Sequence, residues 1–423
     1  MRKILALTLI TSGFCLYGQS IGNSPYASFG IGDVKYDNAL DQQAMGGVGT
    51  AFISDFNNNF NFSNPAANEN LQLTTVKVEG TNENNFFRSD YNSYKGDKSS
   101  TYLSNLSLAF PLSPKFKFGV GYQPYSSKRY DIVTSSTDGA GIITANTFRG
   151  EGSVNMIQAA LSYQIRPELG VGIRANYFFG NVKDLQEVGV SNAEFINGFE
   201  TRNRIRNLNM TLGTTYQKKY DNDRKLTVGA TATLGNTSRM ETTYTNSTYL
   251  YSGNNKILET VIDTQTSESR NLIPFGFSAG AGYGHNLRWF AGAQLDYKKG
   301  ETIQFLGDPF TMNDSFKISA GGWVLPNANN FRSYFDRIVY KYGAYYEKGS
   351  LFLNDRNINR YAVTFGALFP YKNSGVGNMS GLDVGVEIGK RGTLENNLIN
   401  QTFVNLRVGI NFSDKWFRKV LYD

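Results

Sequence analysis

Gly381-Leu382-Asp383-Val384-Gly385-Val386-Glu387-Ile388-Gly389 alternates strictly, with Leu382, Val384, Val386 and Ile388 on one side and Asp383, Gly385, Glu387 and Gly389 on the other. A period of two sustained over this length is a β-strand with one apolar and one polar face. Phe403 to Phe412 repeats the pattern: Val404, Leu406, Val408, Ile410 and Phe412 oppose Asn405, Arg407, Gly409 and Asn411. So do Val171, Ile173, Ala175, Tyr177 and Phe179 against Arg174 and Asn176, and Trp289 to Tyr297 against Gln294 and Asp296. Working outward, the same reading predicts fourteen strands: 71–80, 101–112, 116–125, 153–165, 169–185, 203–217, 225–235, 270–284, 287–299, 315–324, 336–346, 359–370, 379–390 and 400–412. An even number of such strands predicts an all-β fold, a transmembrane antiparallel β-barrel occupying residues 71–412.

The connections alternate in length. Ser113-Pro114-Lys115, Arg166-Pro167-Glu168 and His285-Asn286 are short, whereas 81–100, 126–152 and 236–269 read as long polar loops. Short turns at one rim and long loops at the other match outer-membrane barrels. The connection 327–335 is longer than the periplasmic side leads one to expect.

Composition agrees. Of 423 residues 18% are charged, against about a quarter in ordinary globular domains, and 14% are aromatic, with 26 Tyr, 30 Phe and 44 Gly. The net charge of +7 suits contact with anionic lipid headgroups. Its basic residues are scattered, not gathered on one face, which argues against nucleic acid as a partner. Arg2, Lys3 and the apolar run Ile4 to Ile10 predict a signal peptide over 1–18, cleaved near Gln19. Cys15, the single cysteine, falls inside it, and Phe14 before it disfavours lipid attachment, so the mature chain has no thiol chemistry. Residues 19–70 are rich in Gly and Asn, show no alternation and are too few to form a domain alone. They enter the first strand from the periplasmic side. They are expected to fold into the polar lumen as a plug, where irregular backbone finds hydrogen-bond partners.

Within that segment, Met45-Gly46-Gly47-Val48-Gly49 followed by Asn64-Pro65-Ala66 resembles the hatch of the FadL/TodX long-chain fatty-acid transport family. Asp414-Lys415-Trp416-Phe417-Arg418-Lys419, with Gln at the mature start, is similar to FadL-like barrels of Bacteroidota. The resemblance spans nearly the whole mature chain. It implies a fourteen-strand barrel with an N-terminal hatch, in the outer membrane of a Gram-negative bacterium, for passive uptake of hydrophobic, fatty-acid-like small molecules. It also implies a sideways exit at a kinked third strand. Pro124 marks that place, because proline cannot donate to the ladder; alternatively Pro124 ends the strand at the outer rim. Gly46, Gly47, Gly49, Asn64, Pro65 and Ala66 form either the mobile part of the hatch or a tight structural turn. Two departures bear on the substrate: Ala67 stands where the family often has Gly, and residues 413–423 extend past Phe412 as a periplasmic tail. Since FadL-like barrels of Bacteroidota also serve as subunits, for instance in type IX secretion, the alternative function is a non-conducting barrel binding a protein partner through outer loops or tail.

Other motifs carry little chemistry. Gly276-Phe277-Ser278-Ala279-Gly280 matches a nucleophile elbow but lies mid-strand, and the only histidine, His285, sits in a predicted turn. Asp221-Asn222-Asp223 lacks the rest of a calcium loop. No enzyme, metal site or cofactor is expected. The lumen-facing charges Arg174, Asp296, Lys341, Asp383, Glu387 and Arg407 are expected to pair with one another, anchor the hatch, or gate the path by holding a carboxylate.

Overall fold

The computed structural model describes residues 24–35, 39–56, 58–90, 93–235, 239–253, 255–270, 274–305, 308–330, 332–371, 374 and 378–416. The expected signal peptide and the tail from Phe417 lie outside the described residues.

Fourteen antiparallel strands close into one barrel. In chain order β1 is Thr74–Ser89, β2 Lys95–Pro111, β3 Phe116–Thr137, β4 Ile143–Arg166, β5 Leu169–Val190 and β6 Ile196–Lys219. The next two strands are each built of two segments: β7 of Arg224–Leu234 and Arg239–Ser252, β8 of Asn255–Arg270 and Gly276–His285. Then come β9 Trp289–Lys298, β10 Ser315–Val324, β11 Val339–Lys348, β12 Arg360–Pro370, β13 Gly381–Arg391 and β14 Ile399–Asp414. Closure is made by β1 on β14, in register from Thr74↔Asp414 to Ser89↔Ile399.

The wall inverts the burial of a water-soluble protein. Lys77, Glu79, Asp383 and Asn411 are at most 2% exposed, while Val78, Ile318 and Phe365 are 42%, 59% and 56% exposed. The polar face therefore lines the lumen and the apolar face looks outward, as hydrocarbon requires. Exposed rings form two belts, Tyr216, Tyr220, Trp289 and Tyr340 near the short turns and Phe277, Phe316, Tyr346 and Tyr361 toward the other rim, where amphipathic rings favour the headgroup level.

Three expected loops are corrected. Residues 81–100 are mostly the ends of β1 and β2, and 126–152 are mostly β3 and β4. Residues 236–269 hold a hairpin, Arg239–Ser252 against Asn255–Arg270. Above the lipid neither strand face must be apolar, so alternation fades while the ladder of backbone hydrogen bonds continues. The first strand likewise starts at Thr74 and runs on to Ser89, not 71–80.

If the outward face meets hydrocarbon, Phe365→Arg in β12 lowers stability in lipid vesicles by about 2–4 kcal/mol. Leu258→Arg, equally exposed but on the outer hairpin, stays within about 0.5 kcal/mol. Equal, small effects at both positions contradict the placement.

Candidate functional site

Residues 39–56 and 58–71 sit in the lumen, and every residue from Leu40 to Phe52 is buried. The glycine run works by close approach. Gly46 and Gly47 adopt φ of +71° and +94°, which strains any side chain. The plug backbone at Met45 and Gly46 lies directly on wall glycines Gly321 and Gly343, where a Cβ has no room. Gly46 N–H donates to Thr364 Oγ1 at 2.9 Å. Gly49 and Thr50 N–H both donate to Gln294 Oε1 at 2.8 Å. Asp296 accepts from Gln294 Nε2 at 2.7 Å and so holds that acceptor in place. The second motif docks on the opposite wall. Asn64 Nδ2 donates to the carbonyls of Thr50 (2.7 Å) and Thr214 (3.1 Å), and Pro65 rests on Gly172 and Gly213. The Ala66 carbonyl accepts from Thr215 Oγ1 at 3.2 Å. Arg174 Nη1 donates to the Phe62 carbonyl at 2.6 Å. Gly46, Gly49, Asn64, Pro65 and Ala66 thus meet the wall, Gly47 N–H bonds within the plug to the Gln42 carbonyl, and the wall residues Arg174 and Asp296 support plug contacts.

An ionic cluster ties plug to wall; it contains Lys341 and Asp383, singled out in the sequence, and Asp41, Lys77 and Glu79, which were not. Asp41 of the short helix Leu40–Gln43 meets Lys77 of β1 (2.5 Å) and Lys341 of β11. Lys341 also reaches Asp383 (2.8 Å), and Lys77 reaches Glu79 (3.1 Å) and Asp383 (3.4 Å). Glu79 in turn accepts from Leu40 N–H at 3.0 Å. Burial raises the Asp41 pKa, but the two ammonium groups outweigh it and hold the carboxyl well below its ordinary range. Glu387 belongs to a second group, bonded to Arg360 (3.1 Å), Tyr345 (2.5 Å) and Asn405 (3.0 Å). Arg407 lines a small space with Glu83, Lys35 and Asn405. Below, Phe52 and Phe56 pack with Trp323, Leu325 and Met379 near the short turns.

A strap, Ser24–Lys35, crosses the lumen above the plug. Tyr26 OH donates to the Ile399 carbonyl (2.5 Å), Arg391 bonds Asp33 (2.5 Å), and Lys35 bonds Glu83 (2.7 Å). At its far end Asp33–Val34 pairs antiparallel with Ser127 and Ser126 of β3. The strap meets a seam. The β2–β3 ladder runs only from Leu106↔Tyr122 to Pro111↔Lys117. Beyond it, among the described residues, the facing edges of 95–105 and 123–137 have no ladder partner except the two strap residues. Pro124 stands at the start of this opening, beside a register shift between Pro124 and Ser126. It does not end β3, which continues to Thr137, so the expectation of a strand end is corrected.

Between strap, plug and upper wall lies a cavity of about 1010 Å³. Threonines 201, 211, 231, 233 and 242 line one side, and Lys298, Lys317, Glu347, Arg360 and Arg391 the other. Beside the strap, a further inward stretch is apolar. Val154, Met156, Phe178, Val182, Ile205 and Met240 form a buried cluster with Ile31 and Tyr125 packed on it. Met240, Ile31 and Tyr125 also line the cavity, and Tyr125 directly follows Pro124. The signal was present: these residues occupy the phase that holds Gln158, Asn176 and Asn203 elsewhere on the same strands.

The remaining motifs are structural. Ser278 is mid-strand and donates to Asp296 at 2.5 Å, with His285 at the strand's far end. Asp221–Asp223 forms a turn in which Asn222 accepts from Arg224 N–H.

Two predictions follow from the charges. Three carboxylates (Asp41, Glu79, Asp383) surround two ammonium groups, so losing a lysine is worse than losing an acid. Lys341→Met weakens plug docking by about 3–5 kcal/mol, and Asp41→Asn by about 1–3 kcal/mol, read as amide exchange of residues 39–71; the reverse order contradicts the cluster. At the strap, burial raises the Asp33 pKa, but Arg391, Lys35 and Arg360 bring it down to about 2. A lowered carboxylate stabilises above its unfolded value and loses that contribution as pH falls through the folded one. Protease cleavage within 24–35 therefore stays slow above about pH 4 and accelerates as pH approaches 2.

Comparison with known proteins completes the picture. The BamG family model matches residues 1–423. No curated protein matches the chain. Among solved structures, the CymD monoaromatic hydrocarbon channel superposes with a TM-score of 0.58 at 13% identity, covering 92% of this chain and 99% of CymD. A Pseudomonas aeruginosa FadL homologue gives 0.58 at 12%, covering 90% and 98%. The P. putida toluene transporter TodX gives 0.55 at 14%, covering 90% and 99%. At such identities the likeness is one of fold. The chain belongs to the BamG family, built on the plugged barrel fold of FadL-type channels.

Proposed function

We propose that this chain is an outer-membrane channel of a Gram-negative bacterium, of the Bacteroidota type, for passive uptake of small hydrophobic molecules. The ligand enters the cavity from outside, moves onto the apolar strip of Met240, Ile205, Phe178 and Met156, and leaves sideways through the seam beside Pro124. The plug stays in place. The observation that carries the reading is that strip: six buried apolar side chains of β4 to β7 face the lumen, Met240 and the Ile31 and Tyr125 packed on them line the cavity, and Tyr125 follows Pro124 at the seam. The basic side of the cavity, with Lys317 and Arg360, suits a ligand with an apolar body and an anionic head, as in a fatty acid. Hydrocarbon and toluene channels share the fold, which supports the ligand class.

A disulfide separates this route from one that needs plug movement. A Cβ on wall residue Gly280 lies 3.5 Å from Ala51 Cβ in the plug, within the range a disulfide spans. In proteoliposomes the Ala51→Cys/Gly280→Cys protein keeps its uptake of a fluorescent fatty acid when oxidised, whereas Met156→Glu/Phe178→Asp loses at least tenfold. Uptake that stops on oxidation and returns on reduction would refute the sideways route; uptake unaffected by the charged pair would refute the hydrophobic path.

A second reading, a barrel subunit that binds a protein partner, is favoured by one separate feature, the outer hairpin.

A further inference from the structure

The two-segment strands β7 and β8 rise above the outer aromatic belt as the hairpin Arg239–Ser252 and Asn255–Arg270. The lower half of β8 is paired on both sides, with β7 and β9. Its upper half is paired on one side only, with β7. Among the described residues the other edge of Asn255–Arg270 has no ladder partner. Every residue from Ile257 to Glu268 is exposed, with Gln265 to Glu268 at the cavity rim and Ile257 to Thr264 beyond it.

A long exposed edge is a template for pairing, and proteins usually blunt it with lysines, proline or a covering element. From Ile257 to Glu268 there is neither lysine nor proline. Instead the ladder skips Leu258 and Ile262 at two register shifts, and these are 67% and 59% exposed. Leu258 holds φ of +52°, a conformation that costs about 1–3 kcal/mol and is kept where surroundings or function demand it. Bulges re-aim side chains and interrupt pairing; here they turn two large apolar groups outward. The charge is mostly acidic: Glu259, Asp263 and Glu268 lie on this strand with no basic residue between Ile257 and Glu268, and the flanking Lys256 lies 4.0 Å from Glu259. Antiparallel pairing with a second copy sets these acids against one another, which disfavours a homodimer.

We propose that the outer edge of Asn255–Arg270 docks an extended, basic segment of another protein by strand addition. Backbone hydrogen bonds supply the register, Leu258 and Ile262 supply apolar anchors, and the three carboxylates select for lysine or arginine. The inference is independent of hydrophobic uptake, because Leu258, Glu259, Ile262 and Asp263 do not line the proposed ligand cavity.

The test uses the full-length protein in nanodiscs and two extended twelve-residue peptides, one alternating valine with lysine and one valine with glutamate. Fluorescence anisotropy should show saturable binding of the lysine peptide at least tenfold tighter than the glutamate peptide. Amide exchange of Asn255–Arg270 should slow at least tenfold on binding, with barrel strands unchanged. Glu259→Lys/Asp263→Lys/Glu268→Lys should invert the preference, and Leu258→Ser/Ile262→Ser should weaken binding at least tenfold, both with wild-type exchange in β9 to β14. No saturable binding, or binding that ignores the charge reversal, overturns the proposal. So does a detergent-solubilised dimer that Leu258→Ser/Ile262→Ser dissociates, which would assign the edge to a second copy.

Discussion

Hydrocarbon offers no hydrogen-bond partners, so a chain that crosses it must satisfy its own backbone. That requirement closes β1 on β14. It also sends the polar side chains of every strand into the lumen, because the outward phase must be apolar. A lumen lined with lysine, glutamate and asparagine then needs its own compensation, and the plug supplies it. Asp41 reaches both Lys77 and Lys341, while Gln294, Asn64 and Arg174 pair with plug backbone. The strap obeys the same rule. Where β2 and β3 part, Asp33 and Val34 add to the free edge of β3, and Lys35 N–H donates to the Tyr125 carbonyl at 2.8 Å.

The plug is therefore held by many short contacts on opposite walls instead of by one hinge. Gly343 and Gly321 receive it on one side, Gly172 and Gly213 on the other. Moving it as a body breaks the ionic cluster and both glycine contacts together. A route through the wall avoids that cost, and the wall is weakest where the β2–β3 ladder stops after Leu106↔Tyr122.

Much of this was legible in the sequence, for physical reasons. β13 and β14 read clearly because lipid enforces their alternation, and Pro124 stood out because it cannot donate to a ladder. Gly46, Gly47 and Gly49 stood out as glycines in a charge-poor segment, and with Asn64, Pro65 and Ala66 by resemblance to the FadL/TodX hatch, though their wall partners could not be named. Lys77 and Glu79 were missed because β1 loses its apolar phase after Val78, at Gly80, Asn82 and Asn84. Asp41 was missed because a lone acid in an irregular segment carries no periodicity. The apolar strip escaped notice because Met156 and Phe178 look ordinary in strands whose other face is also apolar. The outer hairpin was read as a loop, since strands standing in water need no alternation.

The central claim is that an apolar ligand occupies the strip between the cavity and the seam while the plug remains docked. The most direct measurement is an experimental structure of the detergent-extracted protein, with mass spectrometry of whatever co-purifies. The account predicts an elongated apolar molecule along Met240, Phe178 and Met156, ending near Pro124, with Asp41 still bonded to Lys77 and Lys341. A strip closed by side chains with no ligand in any preparation, or a ligand seated below a displaced plug, would contradict it.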